Sequence, residues 1–531
     1  MRTLTDRTDH LTEYLASTGH SPMHVWKQLL VRRVLGANDD GRFDDILEAP
    51  AFRGVDAAGI ADLLAGVSIG EASVIYEFLL ARGSMSEKRR HGQFFTPDDV
   101  ARFMAEKARS FGAGVWLDPC CGIGNLSFWL VAEQSDPEAF LLASCRFLDL
   151  DQLALDSARC LFALAFQRRE HQLFTRLEPQ FVHGDFLRGA AEAVDHDFVL
   201  MNPPYLSGVA APAGLRTAAS NDLYAYFLER AFATSRGVVA ITPQSFTNGR
   251  RHAALRRVLL DHAGGLDLYC FDNVPDTIFR TVKFGSENTN RVNSTRAAIT
   301  VAHPSSGAGR PRITPLLRWS ARERGRLFAA VDGLLGSPTT VDDTHLPKVA
   351  RGLEPLYERL TMSTTRIADL LVDPSSTPHV LHVATTPRYF ISAVERPLER
   401  ASVQRLGFAS EADLQRAKLV LNGSLAYFWW RVRDGGMTLA RSTLWSTPVL
   451  DPVASPTAVA SVLARLAESE RSNVVVKRNA GRLNENVKHP LDLIAAVNRL
   501  LAPEHATALL TLHANSTLAG SDAPNLTAGV R

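Results

Sequence analysis

The chain has 531 residues, of which 46% are hydrophobic and 21% charged, which excludes a wholly disordered chain, a collagen and a small disulfide scaffold. Its 58 basic and 56 acidic residues leave a net charge of +2, a balance that neither demands nor excludes nucleic acid, because a local basic face can sit inside a neutral total. The five cysteines are odd in number, with Cys120 and Cys121 adjacent, and outline neither a disulfide framework nor a metal-ligand spacing. The expectation is a reduced, cytoplasmic protein with no bound metal. Its first residues are polar and mixed in charge, unlike a signal peptide, and no apolar run approaches the length of a membrane span.

Residues 1–88 read as a helical region, because apolar residues recur at helical spacing in HVWKQLLVRRVL, AGIADLLAGV and YEFLLARG. From 114 to 303 short apolar runs alternate with helical stretches: GVWLD, CRFLDL, QFVHGD, DFVLMN, GVVAIT, LDLYCF and RAAITVA. Strands alternating with helices predict an α/β fold with a doubly wound, mostly parallel sheet. The last two runs are compatible with an antiparallel edge. The expected organisation is a sheet domain over 89–305, a linker over 306–345, a mixed domain over 346–510 and a frayed tail over 511–531.

Four strand ends carry residues suited to a ligand. Asp118-Pro119-Cys120-Cys121-Gly122-Ile123-Gly124-Asn125 follows one strand and opens a helix, and its glycines allow a tight turn and close backbone approach. The next strand ends in Asp149-Leu150-Asp151, with Asp149 25 residues past Gly124. An acid at that place can accept from both hydroxyls of a ribose, while either Asp can instead cap the following helix. A third strand leads into Asp185-Phe186, an acid and an aromatic that suit an adenine edge and face. The fourth ends in Asn202-Pro203-Pro204-Tyr205. Consecutive prolines fix an extended exit from the sheet. They leave an amide, a carbonyl and a flat ring to receive a planar amine.

In this order the elements resemble the adenine-specific (N6) DNA methyltransferases of restriction-modification systems, in their gamma-type motif order. Gly92-Gln93-Phe94-Phe95-Thr96-Pro97 is similar to the element those enzymes place ahead of the glycine turn. The resemblance implies a Rossmann-like methyltransferase sheet over 89–305 that binds S-adenosyl-L-methionine. Thr96 and Pro97 would lie along the cofactor, and the turn containing Asp118, Pro119, Gly122, Gly124 and Asn125 would cradle its methionine part. Asp149 would hold the ribose, and Asp185 with Phe186 would contact the adenine ring. Asn202, Pro203, Pro204 and Tyr205 would be catalytic, and Tyr205 with Phe279 would sandwich a base flipped from double-stranded DNA.

The C-terminal region would then recognise the target sequence. Its KLVLNGSLAYFWWRVR stretch resembles an element of the recognition regions of larger modification methylases. Arg396, Arg400, Arg405, Arg431 and Arg433 are candidate phosphate or guanine contacts, while Trp429 and Trp430 read as core. Another amino acceptor (cytosine N4, RNA or a protein glutamine) remains open, as does a modification subunit that depends on a separate specificity subunit or acts beside a cognate restriction endonuclease.

Overall fold

The computed structural model describes residues 3–83, 96–168, 172–190, 194–262, 264–279, 295–304, 310–338, 344–387, 389–434, 436, 438–479 and 482–518. The Gly92–Phe95 part of the element ahead of the glycine turn lies outside them. Two compact units divide the chain: residues 1–246, 251–268 and 277–311, and residues 247–250, 269–276 and 312–531.

The first unit is built on strands β1 (Trp116–Asp118), β2 (Cys145–Asp149), β3 (Phe181–His183), β4 (Phe198–Met201), β5 (Gly237–Pro243), β6 (Leu266–Phe271, whose first three residues belong here) and β7 (Ala297–Ala302). Their order is β3-β2-β1-β4-β5-β7-β6. Pairing from β3 through to β5 is parallel. All four residues of β4 are buried, as the unbroken apolar run FVLM requires of a strand covered on both faces. The doubly wound α/β sheet read from the sequence is therefore the fold. β7 pairs antiparallel with β5, and β7 and β6, the last two runs, form the end pair of this unit's strands beyond β5, in keeping with the antiparallel edge read from them. Strand order reverses between β1 and β4, and such a switch point opens a crevice at the carboxyl ends of the strands.

The helices of the region read as helical at 1–88 pack on the sheet. Helices Leu4–Thr18, Pro22–Leu35 and Ile69–Leu80 share one core with the β2–β3 side of the sheet, running from Trp26 and Tyr76 to Phe147, Phe162 and Phe174. Trp26, fully buried, donates from its indole Nε1 to Ser157 Oγ at 2.8 Å and meets the Tyr76 ring edge-on. Helix Ile69–Leu80 starts with a capping box of Ser68 and Glu71. Gly70 there lies so near Asp98 that a Cβ would stand 2.5 Å from the carboxylate.

In the second unit, strands Leu371–Val372, Val380–Ala384, Ala393–Val394 and Val403–Phe408 form a four-stranded sheet. Helices Glu411–Asn422, Leu425–Arg433 and Leu491–Leu501 pack a core around Tyr427, Phe428, Trp429 and Trp430, and the two tryptophans are core residues as read from the sequence. The linker expected at 306–345 instead contains the helix Arg324–Ala330, and Trp319 and Leu327 there are fully buried. The first part of the expected tail is bound too: the Arg318 guanidinium donates to the Leu512 and Ala514 carbonyls. No helix of the described residues is long and apolar enough to cross a membrane.

Candidate active site

A cavity of about 250 Å³ opens in the first unit beside the turn after β1. Thr96, Asp118, Pro119, Gly122, Asn125, Asp149, Asp185, Phe186, Asn202 and Pro204 all line it. The strand ends, far apart in the chain, are thus one site. Pro97, Gly124, Pro203 and Tyr205 are not among the residues that line it.

Each acid is held by the backbone that it shapes. Asp149 Oδ2 accepts from Gly122 N at 2.8 Å and its Oδ1 from Asp151 N at 3.0 Å, so the β2 carboxylate pins the glycine turn. Capping falls to the other aspartate: Asp151 Oδ1 accepts from Leu153 N at 2.9 Å. Gly122 and Gly124 have φ of 53° and 85°, in the left-handed region that favours glycine. A Cβ on Gly124 would also meet the Phe162 ring at 2.7 Å. Asp185 Oδ1 accepts from Leu187 N at 2.9 Å, and the Phe186 ring stacks on Phe227 with centroids 5.3 Å apart.

Thr96 joins the two halves of the site. Its carbonyl accepts from Asn125 Nδ2 at 2.5 Å and its hydroxyl from Asn202 Nδ2 at 2.9 Å. The Asn202 amide is thereby turned with Nδ2 toward Thr96 and Oδ1 as its acceptor end. Pro97 caps the helix Asp98–Arg109. Asp98, which sequence reasoning passed over, positions this strap by accepting from Ser68 Oγ, Gly70 N and Trp129 Nε1. Helix Ile69–Leu80 brings Ser73, Tyr76 and Glu77 to the cavity, and these too were missed. The available signal was a glutamate inside the apolar run SVIYEFLL. Tyr76 reaches Asp151 Oδ2 at 2.6 Å.

Burial pushes the Asp118 carboxyl up to about 7 although Ser127 donates to it, and burial pushes Glu77 up to about 8. Unfolded, both acids titrate near pH 4. The folded chain therefore keeps protons that the unfolded chain releases, so this stabilisation is full below about pH 4 and is lost as pH rises to 7–8. Ligand-free protein is expected to melt at a higher temperature at pH 6 than at pH 8.5. Thermal scans of the double variant Asp118→Asn with Glu77→Gln should lose most of that difference; an unchanged difference would assign it to other groups.

The Tyr205 hydroxyl donates to the Ile241 carbonyl at 3.1 Å, and its ring meets Phe279 edge-to-face with centroids 6.1 Å apart at 66°. The two rings expected on either side of a base are thus in direct edge-to-face contact with one another. Phe279 is 1% exposed. Phe279→Ala should cost roughly 3–5 kcal/mol of stability, whereas Tyr205→Phe should cost only about 1 kcal/mol for one hydrogen bond. Denaturant melts of both variants check the contrast, and a Phe279→Ala protein as stable as wild type would contradict the packing role.

Of the five candidate arginines, Arg431 is buried and bonded to Asp272, and Arg433 donates to His345 and Tyr357. Arg396 is paired with Glu485, and Arg400 donates to Asn486 and Thr386. Arg405 is exposed, with one 3.3 Å bond to the Pro374 carbonyl. The LNGSL stretch is a helix junction: Asn422 bonds both backbone groups of Ala393, and Ser424 N donates to Asn498 Oδ1 at 2.9 Å.

Residues 69–138 match the N-6 DNA Methylase family, and residues 123–275 match the Eco57I restriction-modification methylase family. Over residues 69–275 the chain is therefore similar to DNA methylases of restriction-modification systems. No curated protein matches the chain significantly. Among solved structures, the DrdV-DNA complex is similar at 14% identity and TM-score 0.44, over 66% of this chain and 46% of that one. The type IIG restriction endonuclease BpuSI is similar at 12% identity and TM-score 0.42, over 96% and 78%. A modification subunit of a type I restriction enzyme from Vibrio vulnificus is similar at 14% identity and TM-score 0.31, over 47% and 52%. The chain thus spans about half the length of the DrdV and Vibrio proteins.

Proposed function

We propose that the protein is a site-specific DNA methyltransferase that moves a methyl group from S-adenosyl-L-methionine to the N6 amino group of an adenine flipped out of double-stranded DNA, in a restriction-modification setting. The observation that carries this reading is Asn202 at the end of β4, tied by Nδ2 to Thr96 on the rim of a cavity that also gathers Asp118, Asp149 and Asp185. The cavity fits the cofactor because its wall offers acids for ribose hydroxyls and an amine, and a buried Asn125 Oδ1 that accepts no hydrogen bond.

Bound there, S-adenosyl-L-methionine supplies an electrophilic methyl group on a sulfonium that leaves readily. The nucleophile is the harder partner, because an adenine amine delocalises its lone pair into the ring. Acceptor bonds from Asn202 Oδ1 and the Pro203 carbonyl would draw both N–H bonds out of that plane and concentrate the lone pair on nitrogen. Rigid placement by Pro203 and Pro204 supplies orientation without reorganisation during the reaction. Target reading is assigned to the second unit, where Arg405 is the exposed cation among the arginines singled out. A cognate restriction endonuclease or a specificity subunit would complete the system.

The test is transfer of a labelled methyl from S-adenosyl-L-methionine to duplex DNA, followed by nucleoside analysis. N6-methyladenine is expected. Label found only in protein, in RNA or as methylcytosine would overturn the assignment.

A further inference from the structure

The cavity wall carries four carboxyl groups, Glu77, Asp118, Asp149 and Asp185, against one guanidinium, that of Arg188. Arg188 is 82% exposed and lies 3.4 Å from Asp185. Three of the four acids are accounted for by donors from Ser127, from Gly122 and Asp151, and from Leu187. Glu77 is the exception: among the described residues no donor bonds its carboxylate, and burial alone drives its upward shift. A second acceptor in the same cavity is also unsatisfied. Asn125 is 7% exposed, its Nδ2 is fixed on the Thr96 carbonyl, and its buried Oδ1 has no partner. A buried acceptor left unpaired costs stability unless a ligand donor reaches it.

We infer that Glu77 and Asn125 Oδ1 receive the α-ammonium of the cofactor's amino-acid tail, so that the N-terminal helix Ile69–Leu80 supplies part of the cofactor site. This rests on the proposed function and names a binding residue for it. Two acceptors need a donor, and the sulfonium has no hydrogen to donate. A ribose hydroxyl would donate but would not favour the ionised form of Glu77, and Asp149 already stands at the end of β2 for the ribose. An ammonium donates to both acceptors and favours the ionised carboxylate. Asn125 is also the first residue of the helix that follows the glycine turn, where the methionine part is expected.

Calorimetric or competition binding to three ligands tests the assignment on the full chain. S-Adenosylmethionine and S-adenosylhomocysteine both carry the ammonium, whereas 5′-methylthioadenosine lacks the amino-acid tail. Glu77→Gln should weaken the first two by about tenfold or more and leave the third within about twofold, the size expected for one charge-assisted contact. Equal weakening of all three would place Glu77 against the adenosine half, and no weakening of any would remove it from the site; either result overturns the inference. Glu77→Leu separates ligand binding from folding. It should raise the melting temperature of the ligand-free protein, because an uncompensated carboxyl leaves the interior, while losing affinity for the two tailed ligands. A lower melting temperature with unchanged affinity would make Glu77 a structural residue. Wild-type protein that binds none of the three would instead sink the methyltransferase reading itself.

Discussion

Asn202→Ala should slow methyl transfer to DNA by roughly 10²- to 10³-fold while leaving cofactor affinity within a few-fold, a loss comparable to removing one preorganised polar group aimed at a reacting centre. The effect follows from where the side chain ends. Its Nδ2 is spent on the Thr96 hydroxyl at 2.9 Å, so the oxygen is the end that can accept from a substrate amine. Alanine removes that acceptor and also releases Thr96, but the Thr96 carbonyl stays anchored by Asn125 at 2.5 Å. The cofactor wall should therefore survive. Single-turnover rates and calorimetric cofactor binding, measured on the same preparation, separate the two roles. Cofactor affinity falling in parallel with the rate would mean that Asn202 shapes the cavity rather than acting on the base. Thr96→Val is a useful companion: it keeps the shape but withdraws the hydroxyl, and should reduce the rate less than Asn202→Ala does.

Trp26→Ala should destabilise the first unit by about 3–5 kcal/mol and take cofactor binding with it. Trp26 lies more than 90 residues before the glycine turn in sequence, yet it is fully buried, bonded to Ser157 on the helix after β2 and packed on Tyr76. Tyr76 in turn reaches Asp151, whose backbone N–H donates to Asp149. Removing the indole leaves a cavity at the start of that chain of contacts and strips Ser157 Oγ of its donor. Denaturant unfolding followed by intrinsic fluorescence, with cofactor binding measured in parallel, gives both readouts. A loss below about 1 kcal/mol with normal binding would show that the N-terminal helices are an appendage to the sheet.

Much of the central sheet was legible because its strands are short apolar runs punctuated by turn residues, and all seven runs read from the sequence are strands. The site was legible for a related reason. In a doubly wound sheet the strand ends converge, so Asp118, Asp149, Asp185 and Asn202 could be placed at one cleft from their position after each run. The N-terminal helices were recognised as helices but not as a wall of the site. Helical periodicity tells which face of Ile69–Leu80 is buried, and says nothing about what it is buried against. The same limit applies to the C-terminal arginines: Arg431 and Arg405 look alike in sequence, and only packing makes one a buried partner of Asp272 and leaves the other exposed.

Short stretches of the chain are enough to specify the alternation of strands and helices, the order of the four cavity-facing strand ends and the residue types that those ends carry. These follow from local side-chain preference and from residue type, which are properties of short stretches of chain. Tertiary structure alone decided that β7 lies between β5 and β6, that Thr96 links Asn125 to Asn202, that Asp149 pins the glycine turn while Asp151 caps a helix, and that Glu77 reaches the cavity. Each of these depends on contacts between residues tens to more than a hundred positions apart or on which of two neighbouring groups is closer to a donor. Such pairings are selected by the burial of the whole core rather than by any local pattern.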